Sequence, residues 1–234
     1  MLENVASLLG LSGARSTAET SFALLVGPPR CGLSSLSFEC ARDFASSGQR
    51  VWFMCLRDKF ERSLPARVIR EACADADTEA PELELIHMKY VNSLSDIKWW
   101  CLRVQEIQPS HPLPAVLVLD DLDALILSEA PPSSEVVQRT VLHTVALLKH
   151  AAAFISSRGA RCKLLLALSE SSAWFKDVWF MLERELERNT HAVKQVGPGQ
   201  FALEGPQFAF KAAFAWTPAS AAGQAYFQIQ PIQP

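Results

Sequence analysis

The sequence predicts one α/β domain, a mostly parallel sheet with helices on both faces and antiparallel strands at its C-terminal end. Three observations predict it. Short apolar runs alternate with amphipathic stretches from residue 21 to about residue 190, as strands alternating with crossover helices require. The first run opens into a glycine-bracketed loop, Gly27-Pro-Pro-Arg-Cys-Gly-Leu-Ser34, and the fourth ends in two acids, Val116-Leu-Val-Leu-Asp120-Asp121. Beyond His191 the period falls to two, with Phe208, Phe210, Phe214 and Trp216 alternating with small or polar residues.

The elements follow in order. Residues 1–20 form an N-terminal extension, with Leu2, Val5, Leu8 and Leu9 at helical spacing before the Gly/Ser-rich link Gly10 to Ser16. The core spans residues 21–190. Phe22 to Val26 is a continuous apolar run, as in a strand buried on both faces. Ser34 to Ser46 is a helix with Leu36, Cys40, Ala41 and Phe44 on one side, closed by Gly48. Strands are expected at Val51 to Leu56, Leu83 to Met88, Ala115 to Leu119 and Cys162 to Leu168. Helices are expected at Leu64 to Ala74, Ser93 to Ile107 with Ser93 as N-cap, Ser134 to Ser156, and Trp174 to Arg188. Residues 191–234, punctuated by Gly and Pro at 197–199, 205–206, 218 and 223, extend the sheet in antiparallel fashion.

Composition narrows the function classes. The chain of 234 residues is 49% hydrophobic and 20% charged, outside the range of disordered sequences. A net charge of -3 gives no global attraction for nucleic acid, so contact with DNA must rest on a local patch. Six cysteines include no CxxC pair and sit mostly in apolar stretches, which suits a reducing compartment. No run reaches membrane-span length, and Glu3 precedes the first basic residue, unlike a secretory leader, so no membrane partner is expected.

The loop matches the phosphate-binding pattern GxxxxGK[ST] at Gly27, Gly32 and Ser34, with Leu33 where lysine belongs. In such a loop backbone N–H groups at a helix N-terminus cradle phosphate, and the hydroxyl reaches Mg²⁺. The candidate nucleotide-binding residues are therefore Gly27, Pro28, Pro29, Arg30, Cys31, Gly32, Leu33, Ser34, Ser35 and Asp120, with Ser34 and Asp120 as candidate metal ligands and ATP with Mg²⁺ as the cofactors. Asp120 occupies the acidic end of a Walker B type strand. The same residues also suit a plain strand-to-helix turn and a buried strand that ends in solvent.

The stretches FALLVGPPRCGLSS, AVLVLDDLDALI and HTVALLKHAAAFISSRGARCKLLLALS, with the Phe/Trp-rich end, resemble the RecA-type recombinase paralogues over about residues 21–230. They are most similar to the RecA-like subunits of animal Shu complexes. The resemblance implies a RecA-like core, a DNA-stimulated ATPase, single-stranded DNA binding, support of recombinase filaments in homologous recombination DNA repair, a SWIM-domain zinc-finger protein and a RecA-type recombinase as partners, and a nuclear location. The chain departs from the family pattern at Leu33, at Ser169 where the group has a glutamine sensor, and after the second strand, where Asp58 and Glu61 are the acids available in place of the water-activating glutamate. Weak nucleotide binding with slow or absent hydrolysis is the expectation. The alternative class, a P-loop NTPase or kinase-like enzyme acting on a small molecule, needs the absent lysine or an arginine in its place, and Arg30 is the local candidate.

The loops that carry DNA in the family fall at about Leu127 to Glu135 and Ser169 to Ala173, and neither holds Lys or Arg. The densest basic stretch supplies the candidate DNA-binding residues Arg57, Lys59, Arg62, Arg67 and Arg70; a solvated helix face is the plainer reading of the same pattern. Arg158, Arg161 and Lys163 form a smaller group that is expected near the same edge. His143 and His150 lie two helical turns apart with no further ligand at metal spacing, and Trp99 and Trp100 read first as core. Phe210 to Ala213 and Phe38 to Ala41 both match the short FxxA recombinase-docking pattern.

Overall fold

The computed structural model of the protein describes residues 21–62, 65, 67–68, 81–107, 112–129, 134–159, 161–170, 175, 190–197, 200–204, 212–217 and 226–231. Its strands are β1 (Phe22–Gly27), β2 (Val51–Leu56), β3 (Arg67–Val68), β4 (Ile86–Val91), β5 (Val116–Leu119), β6 (Lys163–Ser169), β7 (Thr190–Gly197), β8 (Gln200–Glu204), β9 (Ala212–Thr217) and β10 (Tyr226–Pro231). They form one sheet in the order β3-β10-β9-β8-β7-β1-β6-β5-β2-β4. From β7 to β4 every neighbouring pair is parallel; β7 to β10 are joined antiparallel, and β3 pairs parallel with β10. The predicted α/β class holds, with one refinement: the C-terminal extension begins with a strand parallel to β1 before the antiparallel pairs start.

The described helices are α1 (Leu33–Ser46), α2 (Arg57–Arg62), α3 (Leu94–Arg103), α4 (Leu122–Glu129) and α5 (Ser134–Ser157). Strand alternation divides the core between the two faces of the sheet. Phe22, Leu24 and Val26 of β1, with Leu117 and Leu119 of β5 and Leu164, Leu166 and Leu168 of β6, pack against α3, α4 and α5. The intervening Ala23, Leu25, Val116, Val118 and Leu165 face α1, where Leu36, Cys40, Ala41 and Phe44 meet them. Both faces of the central strands are therefore apolar, which is why these segments read as unbroken hydrophobic runs.

Local signals fix the ends of several elements. Ser93 caps α3 as expected: its hydroxyl accepts from Asp96 N–H at 3.1 Å, and the Asp96 carboxylate accepts from Ser93 N–H at 3.1 Å. Such a reciprocal cap contributes on the order of 1 kcal/mol. The tail of the predicted helix becomes a 3₁₀ turn at Val104–Glu106.

Three expectations need correction. The predicted helix Leu64 to Ala74 is contradicted at Arg67–Val68, which pair with Tyr226 and Phe227 of β10. The helix lies earlier, at Arg57–Arg62, where the i,i+4 pairs Arg57–Glu61 (3.9 Å) and Arg62–Asp58 (3.6 Å) form; strand pairing overrides local periodicity at 67–68. The strand expected at Leu83 begins at Ile86, because Pro81 opens a 3₁₀ turn through Leu85. The segment expected to be a loop from Leu127 to Glu135 holds the last turn of α4 and the start of α5. The N-terminal extension, the predicted helix Trp174 to Arg188 apart from the helical, buried Phe175, and Cys73, Phe208 and Phe210 lie outside the described residues.

Gly27 ends β1 under a steric constraint. A Cβ there would stand 2.7 Å from Cys31 Sγ and 2.8 Å from Val193 Cβ, closer than real contacts allow. Gly27→Ala is expected to destabilise the protein by about 1–3 kcal/mol through overpacking. Gly48→Ala, where φ is +78° and nothing lies within 4 Å, is expected to cost about 1–2 kcal/mol through backbone strain alone. Urea denaturation midpoints of the two variants check both figures, and a Gly27→Ala variant as stable as the parent contradicts the packing.

Candidate functional site

Parallel strands bring their carboxyl ends to one edge of the sheet, and in this sheet β1, β6, β5 and β2 are consecutive neighbours there. Around that edge is a cleft of about 560 Å³. Its walls are Pro28 to Ser35 from the loop and first turn of α1, Cys55, Lys59, Phe60 and Pro65 from the β2 side, Asp120, Asp121 and Asp123 after β5, and Ala167 to Ser169 of β6. All the candidate nucleotide-binding residues line this cleft except Gly27, which lies beneath the loop against Val193.

The loop is shaped by its backbone. Arg30 and Gly32 have φ of 61° and 87°, and Cys31 N–H donates to Pro28 O at 3.3 Å. Gly32 is the N-cap of α1 but brings no side-chain cap, and no acid stands in the first helical turn. The positive end of the helix dipole therefore opens on the cleft with no acid of its own helix to cap it.

Opposite the loop sits the acidic end of β5. Asp120 is 2% exposed, and its own N–H donates to Met54 O at 3.0 Å. Its carboxylate accepts the Ser34 hydroxyl, while Oδ1 is buried with no hydrogen-bond partner. Burial, reinforced by the charge of Asp121, raises the Asp120 carboxyl to about 7. Asp121 follows in the left-handed region, φ 59°, which aspartate tolerates better than most residues. Its carbonyl accepts from Leu125 N–H at 3.2 Å as α4 begins. Asp123 accepts from Ser169 N–H at 3.3 Å, and burial raises its carboxyl as well.

Lys59 supplies positive charge to this acidic wall. It extends from α2 and ion-pairs with Asp121 Oδ1. Burial alone would lower the Lys59 ammonium, but the Asp121 hydrogen bond and the charges of Asp121, Asp120 and Asp123 outweigh it and raise it overall. Thiol chemistry is disfavoured in the cleft, since burial pushes both Cys31 and Cys55 up to about 12. Asp58 and Glu61, the acids proposed for water activation, pair with Arg62 and Arg57 on α2 and do not line the cleft.

The candidate DNA-binding residues are divided. Arg57, Lys59 and Arg62 border a second groove with Asp58 and Asn92, and the Arg57 guanidinium stacks 4.7 Å above the Tyr90 ring. Lys59 thus borders both cavities. Arg67 falls in β3, at the opposite end of the strand order, and Arg70 lies outside the described residues. Lys163 starts β6, so it and Arg158 stand at the amino ends of the parallel strands, the end opposite α2 and not the shared edge expected; Arg158 donates to Ile107 O at 2.6 Å.

Of the remaining features, His143 and His150 are exposed on α5. Trp100 packs edge-on against Trp52 at 5.4 Å, but Trp99 is 59% exposed, contrary to the core reading. Ala41 of the Phe38 FxxA match is fully buried, and Phe38 packs on Phe53, so that match offers no docking surface. Sequence reasoning missed Asp121 and Asp123 as cleft residues and assigned Lys59 to DNA alone. Position was the available signal: each follows closely after the carboxyl end of a strand whose neighbours end in the loop edge. No family model matches the chain, and no curated protein matches it.

The burial of Asp120 sets a pH dependence. With the folded value near 7 against an ordinary 3.8, the folded state holds the proton more tightly. The Asp120 contribution to stability is therefore full below about 3.8 and lost as pH rises through about 7. Asp120→Asn is expected to raise stability at pH 8 and to flatten the stability profile between those values. Chemical denaturation at a series of pH values reads this, and an unchanged slope contradicts the buried, proton-holding carboxyl.

Proposed function

We propose that the cleft is a RecA-like P-loop nucleotide site degraded in place, which binds Mg²⁺ and ATP weakly and hydrolyses ATP slowly or not at all. The observation that carries this reading is the Ser34 hydroxyl bonded to the Asp120 carboxylate, whose other oxygen is buried without a partner, at the uncapped start of α1. An orphan buried carboxylate oxygen costs about 1–3 kcal/mol or more, and a bound cation is one partner that would satisfy it. Ser34 and Asp120 would hold Mg²⁺, which when bound neutralises phosphate charge. The loop N–H groups and the helix end would bind and orient the phosphates, and Leu33 contributes no charge toward them.

Lack of the loop lysine removes one preorganised charge, typically on the order of 3–4 kcal/mol in the transition state, or two to three decades in rate. The wider role that fits this site and the resemblance is that of an accessory factor in homologous recombination, working in the nucleus through single-stranded DNA, a SWIM-domain zinc-finger partner and a RecA-type recombinase. The groove bordered by Arg57 and Arg62 is the surface offered to phosphate.

Two measurements test the proposal. Calorimetric titration with Mg²⁺ and ATP should give weak binding that Leu33→Lys strengthens by about tenfold or more, with a parallel gain in turnover. Robust native turnover, or a Leu33→Lys variant indistinguishable from the parent, speaks against a degraded P-loop. For DNA, Arg57→Glu combined with Arg62→Glu should weaken single-strand binding and lower the log–log salt slope by about 1.4 if both residues meet phosphates. An unchanged slope in the folded variant removes the groove from the DNA surface.

A further inference from the structure

Leu33 leaves the loop without its cation, yet the cleft is not without one. We infer that Lys59, borne on the helix after β2 and not on the loop, is the residue that binds the terminal phosphates of a nucleoside di- or triphosphate in this cleft. The inference rests on the nucleotide reading above and names the group that gives the cleft its residual affinity for phosphate.

Its geometry is specific. Lys59 lines the same cleft as Pro28 to Ser35, and its ammonium is held at the acidic wall by Asp121. Asp121 is itself fixed, buried at 9% side-chain exposure and locked in a left-handed backbone at the start of α4. The Lys59 side chain is 55% exposed and borders the cleft, so it is anchored at Asp121 without being sealed beneath other residues. An ammonium has three donors; one meets Asp121, and the others can reach phosphate oxygens without stripping Asp121 of its partner. Phosphate binding therefore does not require leaving a buried carboxylate unpaired, an exchange that would oppose binding.

Charge balance points the same way. Asp120, Asp121 and Asp123 all border the cleft, and those of them that are ionised repel a polyphosphate unless a cation offsets them. Lys59 interacts electrostatically with all three. Arg30 also lines the cleft, but it is exposed, and among the described residues no carboxylate of the acidic wall is bonded to it in the way Asp121 is bonded to Lys59. A lysine carried by a neighbouring strand's helix can thus bring to the cleft a positive charge that position 33 of the loop lacks.

The test is calorimetry on the full chain with Mg²⁺, using ADP, ATP and adenosine as separate probes. Lys59→Ala should weaken ADP and ATP by about tenfold to a hundredfold, the range of one charge-assisted hydrogen bond, and leave adenosine within about threefold. Lys59→Ala with Asp121→Asn removes both charges, so no buried carboxylate is left bare, and should still show a selective loss for ADP and ATP, smaller than that of the single variant because Asp121 no longer repels phosphate. Leu33→Lys introduced into Lys59→Ala should restore ADP affinity. If the parent binds ADP and both Lys59 variants bind it equally well, Lys59 is overturned and the nucleotide site stands. If the parent binds neither ADP nor ATP, both readings fail together.

Discussion

The structure of the cleft depends on one expensive placement, a pair of aspartates at the buried end of a central strand. Asp120 and Asp121 are 2% and 8% exposed, where ionised carboxylates are strongly disfavoured unless bonded or paired. Each neighbour answers part of that cost. Ser34 donates its hydroxyl to Asp120, Lys59 pairs with Asp121, and Asp120 holds its proton up to about neutral pH. A loop with glycines and a hydroxyl, a helix with an open N-terminus and a lysine from a third element all converge on the same acids. One Asp120 oxygen, Oδ1, is left buried without a hydrogen-bond partner among the described residues.

The sheet order explains why these parts meet. β6 lies between β1, which carries the loop, and β5, which carries the acids, and β2 with its helix lies on the far side of β5. Lys59 thus enters the cleft from the β2 side, opposite the loop. The C-terminal strands support this arrangement from behind: β7 pairs with β1, and Val193 presses on the point where β1 turns into the loop, so that only glycine fits at 27. Phe201 and Leu203 of β8 join the same apolar layer as α1, tying the antiparallel extension to the helix that faces the cleft.

Much of this was legible from residues alone, and the reasons for the rest are physical. Central strands buried on both faces announce themselves as apolar runs, and Gly27, Gly32, Ser34 and Asp120 announce themselves by order and spacing. α4 did not, because Leu122, Leu125 and Ile126 are fully buried within a helix that is apolar nearly all round and so carries little periodic signal. The two-residue β3 was invisible for a different reason: it exists through its pairing with β10, a contact more than 150 residues away along the chain. Lys59 was legible as a charge but not as a cleft residue. Its neighbours Arg57 and Arg62 face a different groove, and only the turn of a short helix separates the three.

The central claim is that the loop, Ser34, Asp120 and Lys59 form one phosphate-binding unit. A crystal structure of the protein with Mg²⁺ and a non-hydrolysable ATP analogue tests it most directly. The account predicts phosphate density against the backbone of residues 28–35, a cation between Ser34 and Asp120, and the Lys59 ammonium bonded to a phosphate oxygen while still touching Asp121. Analogue bound outside the cleft, or bound within it with Lys59 directed only at Asp121 and no cation beside Asp120, would contradict it.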